Sequence, residues 1–372
     1  MKKNIHSLTG LRGVAAFVVF LAHAGICVQL PVLQHVAAFI SWQNAAVDLF
    51  FVLSGFTLAY VYSGHTFDTP GIKKYLIARF ARIYPLHLLT LLVSVYMVCT
   101  SPLRGYGFAS FWPDFLRQLF LVNCWAPLGD GIFFNRPAWS ISVETFCYIF
   151  LFPPLAIYAG RYQGKNDHRR TAVAVGLLML LSYLIFTTCY NPDVVSYDHD
   201  HSAIRTFSFY VNILRGILGF SAGFVVYRSF ALQDALYRFC SRYADYLFGA
   251  VLLIMLGQQL GLGLDNHMML VLSPFLCLAC ASEAGFFNRV LSTKLLVHLG
   301  DLSYSVYLLH FVILMISDRM RLHLSTTFAL VYLVSLASYY LYEVPARRII
   351  NRIYAAPARP VRSATQPSLP SS

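Results

Sequence analysis

The sequence is short of charge, and shorter still of acid. Only 12% of its 372 residues are Asp, Glu, Lys or Arg, against 58% hydrophobic, and the 28 basic residues outnumber the 16 acidic ones. A soluble domain carries about 25% charged residues. The chain therefore lacks the polar surface that a globular fold turns to water, which excludes a soluble core with exposed patches. It also lacks an internal repeat, which counts against a transporter built from inverted halves. No basic stretch carries the interleaved aromatics of a nucleic-acid platform, so the net charge of +12 has another origin. No small-x-small site closes the first apolar run, so that run is a retained helix and not a cleaved signal. Cysteine is sparse, with 8 residues scattered along the chain. Cys277-x-x-Cys280 has no second ligand pair beside it, which favours packing over metal or redox chemistry. Cys124 and Cys189 both fall near the outer side, and nothing in the sequence requires them to pair.

What is present is a series of long apolar runs. They predict an all-α integral membrane protein of about ten transmembrane helices: 11–30, 41–63, 81–100, 139–159, 171–190, 206–228, 244–262, 267–281, 296–316 and 325–345. Most are near the ~20 residues that a bilayer needs, and the eighth is short. An even count puts both termini on one side. Most basic residues fall in the segments on that side, among them Lys2, Lys3, Lys73, Lys74, Arg169, Arg170, Arg347 and Arg348. Positive residues stay inside, so both termini are expected to be cytoplasmic. Residues 1–350 read as one membrane domain. Residues 351–372, rich in Pro, Ser and Ala, read as a disordered cytoplasmic tail. The outer segment 101–138 holds Phe108, Phe111, Trp112, Phe115, Trp125, Phe133 and Phe134, which suits an interfacial or partly re-entrant loop.

Against this apolar background a few polar residues stand out. Arg12 and His23 are eleven residues apart, close to three helical turns, and so share one face with about 16 Å between them. That spacing puts Arg12 near one membrane surface and His23 near mid-bilayer. An ionisable side chain at that depth is a functional-site hypothesis, with a histidine bonded to a neighbouring helix as the plainer reading. Glu144 in Trp139-Ser140-Ile141-Ser142-Val143-Glu144, His310 in the ninth span and Asp48 in the second fall at related depths. Several such residues at one depth, with Ser142 and Tyr304 nearby, suggest a polar cavity. A histidine suits a general base, and a carboxylate on its other nitrogen would orient it. Glu144 is the first choice for that partner and Asp48 the second. Arg12 is too far from His23 to share an atom with it, so helix geometry places it on the donor, towards the cytoplasm, or in a structural pair.

Arg79 and Arg82 are three residues apart at the opening of the third span, a spacing that suits bidentate phosphate binding. The plainer reading is a topogenic cluster beside anionic lipid. Tyr342-Glu343-Val344-Pro345 reads as a helix terminator, with Glu343 paired to a nearby arginine. Arg215 in the sixth span has no evident partner. Asp198-His199-Asp200-His201 lies in an outer loop without flanking ligands and reads as solvated, so no metal is expected.

Taken together, these motifs resemble the membrane acyltransferase 3 family, the O-acetyltransferases that decorate bacterial surface glycans. The matching features are Arg12-x10-His23, Asp48 to Phe56 (DLFFVLSGF), Arg79-x2-Arg82-Ile83-x-Pro85, Trp139 to Glu144 (WSISVE), Ser303 to His310 (SYSVYLLH) and Glu343-x-Pro345, in the family's order over residues 8–348. The resemblance implies transfer of an acyl group, usually acetyl, from cytoplasmic acetyl-CoA to a hydroxyl reached from the other side of a bacterial inner membrane. It makes His23 the catalytic residue, as base or acyl carrier, and Arg12 its motif partner. It places Arg79 and Arg82 on the CoA phosphates. The implied partners are acyl-CoA, a glycan or lipid-linked saccharide acceptor, membrane lipids and a second copy of the chain, with no nucleic acid and no permanently bound cofactor. Thr145 stands where many relatives have a second acidic residue. Some relatives carry a C-terminal esterase-like domain, which here would have to be a separate protein. A transporter or flippase for glycan precursors is the rival reading. It accounts for the cavity, but not for histidine and acid beside a pair of phosphate-type arginines.

Overall fold

The structure, a computed structural model, describes residues 4–40, 42–63, 65, 67–100, 108–125, 128, 134–161, 168–189, 203–264 and 268–354. Among them there are only helices and turns. In chain order the α-helices are α1 (His6–His23), α2 (Ile26–Gln29), α3 (Gln43–Tyr62), α4 (Thr69–Cys99), α5 (Phe108–Leu119), α6 (Ala138–Phe146), α7 (Phe152–Arg161), α8 (His168–Cys189), α9 (Ala203–Leu232), α10 (Ala235–Arg242), α11 (Ala244–Gln259), α12 (Met269–Ala281), α13 (Phe286–Leu291), α14 (Lys294–Asp301), α15 (Ser303–Met320), α16 (Leu324–Ser338) and α17 (Val344–Tyr354). Each expected span falls on one of these helices or on a bent pair of them. Six stretches are long and apolar enough to cross a bilayer alone. Two pairs bent by 66° and 65°, α10 with α11 and α14 with α15, raise that to eight. The chain is thus an all-helical, multi-pass membrane protein, with six to eight crossings among the described residues where the hydropathy pattern predicted ten. Residues 355–372, most of the expected tail, lie outside the described residues, as does Asp198-His199-Asp200-His201.

Helix boundaries change where four site residues sit along their helices. The first span closes at His23, not at residue 30. Gly25 follows with φ +62°, a left-handed turn that glycine adopts without strain, and the apolar run continues as α2 and a 3-10 helix over Pro31–Phe39. Arg12 is therefore in the middle of α1, and His23 is its last residue. The apolar run alone overran the end of this helix. The third span opens at Thr69, capped by the Asp68 carboxylate accepting from the Gly71 N–H at 2.9 Å. Its 31 residues extend about 46 Å, some 16 Å beyond a ~30 Å hydrocarbon core. Arg79 and Arg82 accordingly lie about three turns inside a helix that is longer than the hydrocarbon core.

Pro345 does not end the last span. The chain passes through a π-turn over Tyr339–Glu343 and continues as α17 to Tyr354. A proline leaves the carbonyl four residues earlier without its N–H, here that of Leu341 inside the π-turn. The wider turn absorbs the defect. The same device recurs at Cys147–Leu151, before Pro153 and Pro154. Both π-turns carry residues of the polar cluster described below.

The bundle is drawn together by small residues. α3 packs most extensively on α9, and α1 on α14, α15 and α3. A Cβ at Gly223 of α9 would overlap the Val52 backbone, and one at Gly13 of α1 would overlap Gly300 of α14. Such close backbone approach is how helices associate where lipid removes any hydrophobic drive between them. The described part of segment 101–138 packs onto the bundle. Gln118 donates to the Asn135 carbonyl at 2.8 Å, and Asn135 donates to the Leu308 carbonyl at 3.3 Å. Phe111, Phe115 and Phe134 pack against Leu91 and Val98 of α4. The side chains of Phe108 and Phe133 lie outside the described residues.

Candidate active site

The site is built along one face of α15. Tyr304, Tyr307 and His310 recur every third residue, so they form a row about 9 Å long. At its lower end the Arg82 guanidinium lies 5.2 Å from the centre of the Tyr304 ring and 3.6 Å from the Glu343 carboxylate. Ser305 also bonds Glu343. The expected pairing of Glu343 with an arginine is present, on a π-turn and not at a helix end. Arg79 sits beside it with its guanidinium over the rings of Tyr62 and Tyr148, at 5.7 and 5.9 Å. Arg347 of α17 is close enough to act electrostatically on both. The two expected arginines are thus together, with a third that the sequence reading took only as a topology signal.

Midway along the row is a cavity of about 60 Å³ lined by Arg12, Phe50, Ser54, Ser140, Glu144, Tyr304 and Tyr307, among others. Drug-sized pockets run to several hundred Å³, so this one suits the end of a slender arm and not a nucleotide. Glu144 accepts from Ser54 and from Tyr148, each at 2.5 Å. Arg12 faces the same space. Among the described residues no hydrogen bond or ion pair holds its guanidinium, and the charges acting on it are Arg82, Glu144 and Asp301. Ser54 and Tyr148 were missed in the sequence. Tyr148 had a signal, since it follows Glu144 by one helical turn.

At the upper end the two histidines meet. His23 Nδ1 lies 2.8 Å from His310 Nε2, with the rings 13° from coplanar. His23 is exposed, whereas His310 is 0% exposed. Tyr307 lies between the cavity and this pair. Its hydroxyl shares a 2.7 Å bond with Ser140, and its ring lies edge-on to His310 at 6.1 Å. Arg136 is the nearest charge to His23, with its guanidinium 5.8 Å from the Phe311 ring.

Two expected cavity residues, Asp48 and Ser142, are placed elsewhere. The carboxylate partner foreseen for His23 is absent from it: Glu144 is held in the cavity by Ser54 and Tyr148, and Asp48 is held by Arg215. Arg215 grips both oxygens of Asp48, at 3.1 and 2.7 Å, and donates to Asn212 at 2.9 Å. Both ion-pair partners are 1% exposed. This is an interhelical clamp between α3 and α9, and it accounts for the previously unpartnered Arg215. Ser142 also leaves the cavity. It donates to the Leu121 carbonyl at 2.7 Å and accepts from the Cys124 N–H at 3.2 Å, pinning the outer loop to α6. Cys124 is a free, buried thiol, and the side chain of Cys189 lies outside the described residues.

The acyltransferase 3 family model, described as an acyltransferase domain, matches residues 5–343, which hold the row, the cavity and the histidine pair, with Arg347 just beyond. The chain belongs to the acyltransferase 3 family. Among curated relatives of this family member, the acyltransferase MdmB of Streptomyces mycarofaciens is 35% identical over 157 residues, 40% of this chain and 38% of that protein. Protein 2 in the picA locus of Rhizobium radiobacter is 42% identical over 100 residues, 25% of this chain and 45% of that protein. The peptidoglycan O-acetyltransferase OatA of Listeria monocytogenes is 22% identical over 348 residues, 84% of this chain and 50% of that protein. The chain spans half or less of the length of these relatives. No solved structure matches it.

Proposed function

We propose that the chain is a membrane O-acyltransferase. It would move an acyl group, most simply acetyl, from acyl-CoA on the cytoplasmic side to a hydroxyl of a glycan or lipid-linked saccharide on the other side. The positive-inside pattern supports cytoplasmic termini in a bacterial inner membrane. The observation that carries the reading is the unbroken row on α15, which links a three-arginine cluster to an exposed imidazole through a cavity with an unpaired guanidinium.

In this reading Arg79, Arg82 and Arg347 meet the CoA phosphates, as clustered guanidiniums do. The slender end of the donor enters the cavity beside Arg12, and the thioester passes the Tyr307–Ser140 pair to reach His23. His23 takes the proton from the acceptor hydroxyl. The acceptor oxygen bonds to the thioester carbonyl carbon, the C–S bond breaks, and the proton passes to the departing sulfur. An acyl-histidine intermediate uses the same residues in two steps.

The test is CoA release by purified protein in liposomes supplied with acyl-CoA and a glycan acceptor. His23→Ala is expected to lower turnover by about 10²–10⁴-fold, the range for loss of a general base. Full turnover in that variant would overturn the assignment, and glycan movement without CoA release would point to transport. Labelled acyl trapped on the protein without acceptor, and lost in His23→Ala, would select the two-step route.

A further inference from the structure

The histidine pair contains more information than its distance. His310 Nδ1 lies 3.0 Å from the carbonyl oxygen of Val306, one turn earlier on the same helix. A carbonyl oxygen only accepts, so His310 Nδ1 must carry hydrogen. His310 is fully buried, and among the described residues no carboxylate bonds either ring. A buried imidazolium without an anion is costly, so the resting ring is neutral. A neutral ring protonated at Nδ1 has its lone pair on Nε2. His310 Nε2 therefore accepts, and His23 Nδ1–H donates across the 2.8 Å contact.

We infer that His310 is a positioning residue that holds His23 in the Nδ1–H tautomer and so makes His23 Nε2 the proton-accepting atom. A carboxylate does this work in the familiar serine triads. Here a second imidazole does it, itself anchored by a helix carbonyl. When His23 Nε2 takes a proton, the added charge is shared along the Nδ1–H···Nε2 bond. His310 stays bound to Val306 in either protonation state, so the exposed ring keeps its orientation through the cycle. The aromatic contacts of His310 with Phe20 and Tyr307, both at 6.1 Å, leave the ring little room to turn.

The kinetic arm of the test rests on the acyl-transfer reading, and the spectroscopic arm does not. Wild-type protein labelled with ¹⁵N-histidine, with His23 and His310 assigned through single variants, should show His23 protonated at Nδ1 and bare at Nε2. Protonation of His23 at Nε2 in the resting protein would overturn the inference. In turnover, His310→Leu should lower kcat by about 10²-fold or more while KM for acyl-CoA stays within twofold, because only proton transfer is mis-set. His310→Gln offers an amide oxygen near the lost Nε2 and should recover kcat to within about tenfold of wild type. Equal kcat in His310→Leu and wild type would sink the proposal, as would a His310→Gln no better than His310→Leu with both folded. The Nδ1–H tautomer in a protein that never releases CoA would leave the positioning role standing and remove the acyltransferase reading.

Discussion

Two arginines lie inside the bundle, Arg215 on α9 and Arg12 on α1, and their surroundings differ in kind. Arg215 has its charge answered by both oxygens of Asp48, with a further acceptor on Asn212. Arg12 has no hydrogen-bonding or ion-pair partner among the described residues and faces a cavity. Both are expensive inside a membrane protein. One cost is offset within the fold, so Arg215 fixes two helices and has nothing left to offer a ligand. The other has no such answer among the described residues. An ionisable residue in a span therefore signals function only when its partner is absent, and sequence depth alone does not tell the two cases apart.

The comparison is broken most severely at Asp48. Asp48→Ala leaves Arg215 buried and unpaired, and should destabilise the protein by about 3–5 kcal/mol, read as lost folded yield and a lower unfolding temperature in nanodiscs. Replacing both residues by well-packed apolar ones, Asp48→Leu with Arg215→Met, should restore most of that loss, with turnover per folded molecule near wild type. A double variant that folds but does not turn over would place the clamp in the reaction. Arg12→Gln should do the reverse. Stability should not fall, and should rise if it changes, since a costly charge is removed and no internal partner is lost. KM for acyl-CoA should rise roughly tenfold to a hundredfold, the range for one charge-assisted hydrogen bond. An unchanged KM would return Arg12 to a structural role. The smallest effect is at the cysteines. In single-cysteine variants Cys99, exposed at the end of α4, should react with a maleimide well before Cys124. Burial pushes the Cys124 thiol pKa upwards and away from the reactive thiolate. Equal labelling rates would mean that the Ser142-pinned loop opens freely.

Much of the fold was legible in advance. Helical class, multiple spans and the approximate places of the helices follow from apolar runs, because a bilayer demands long, internally hydrogen-bonded segments. The boundaries that matter most were not legible. The Arg12–His23 spacing predicted a shared helix correctly but misplaced it, since the apolar run continues past the Gly25 turn that ends α1. The proline after Glu343 suggested a stop, and the π-turn before it removed the need for one. In the site, the residues of the row on α15 were all but one identified, with Tyr307 the omission. Their partnerships were wrong, because the choice among Glu144, Asp48 and His310 as neighbour to His23 depends on helix rotation. Apolar patterning constrains rotation weakly in helices that are hydrophobic nearly all round.

The amino-acid order alone set the number and type of polar groups placed among apolar helices, and their spacing along each one, because those follow from the 1.5 Å rise and the cost of charge in lipid. Which of those groups touch was decided only when glycine contacts such as Gly13 on Gly300 and Gly223 on Val52 fixed how the helices lie against each other. Close backbone approach sets helix rotation. Rotation left Asp48 to Arg215, Glu144 to Ser54 and Tyr148, and His23 to His310.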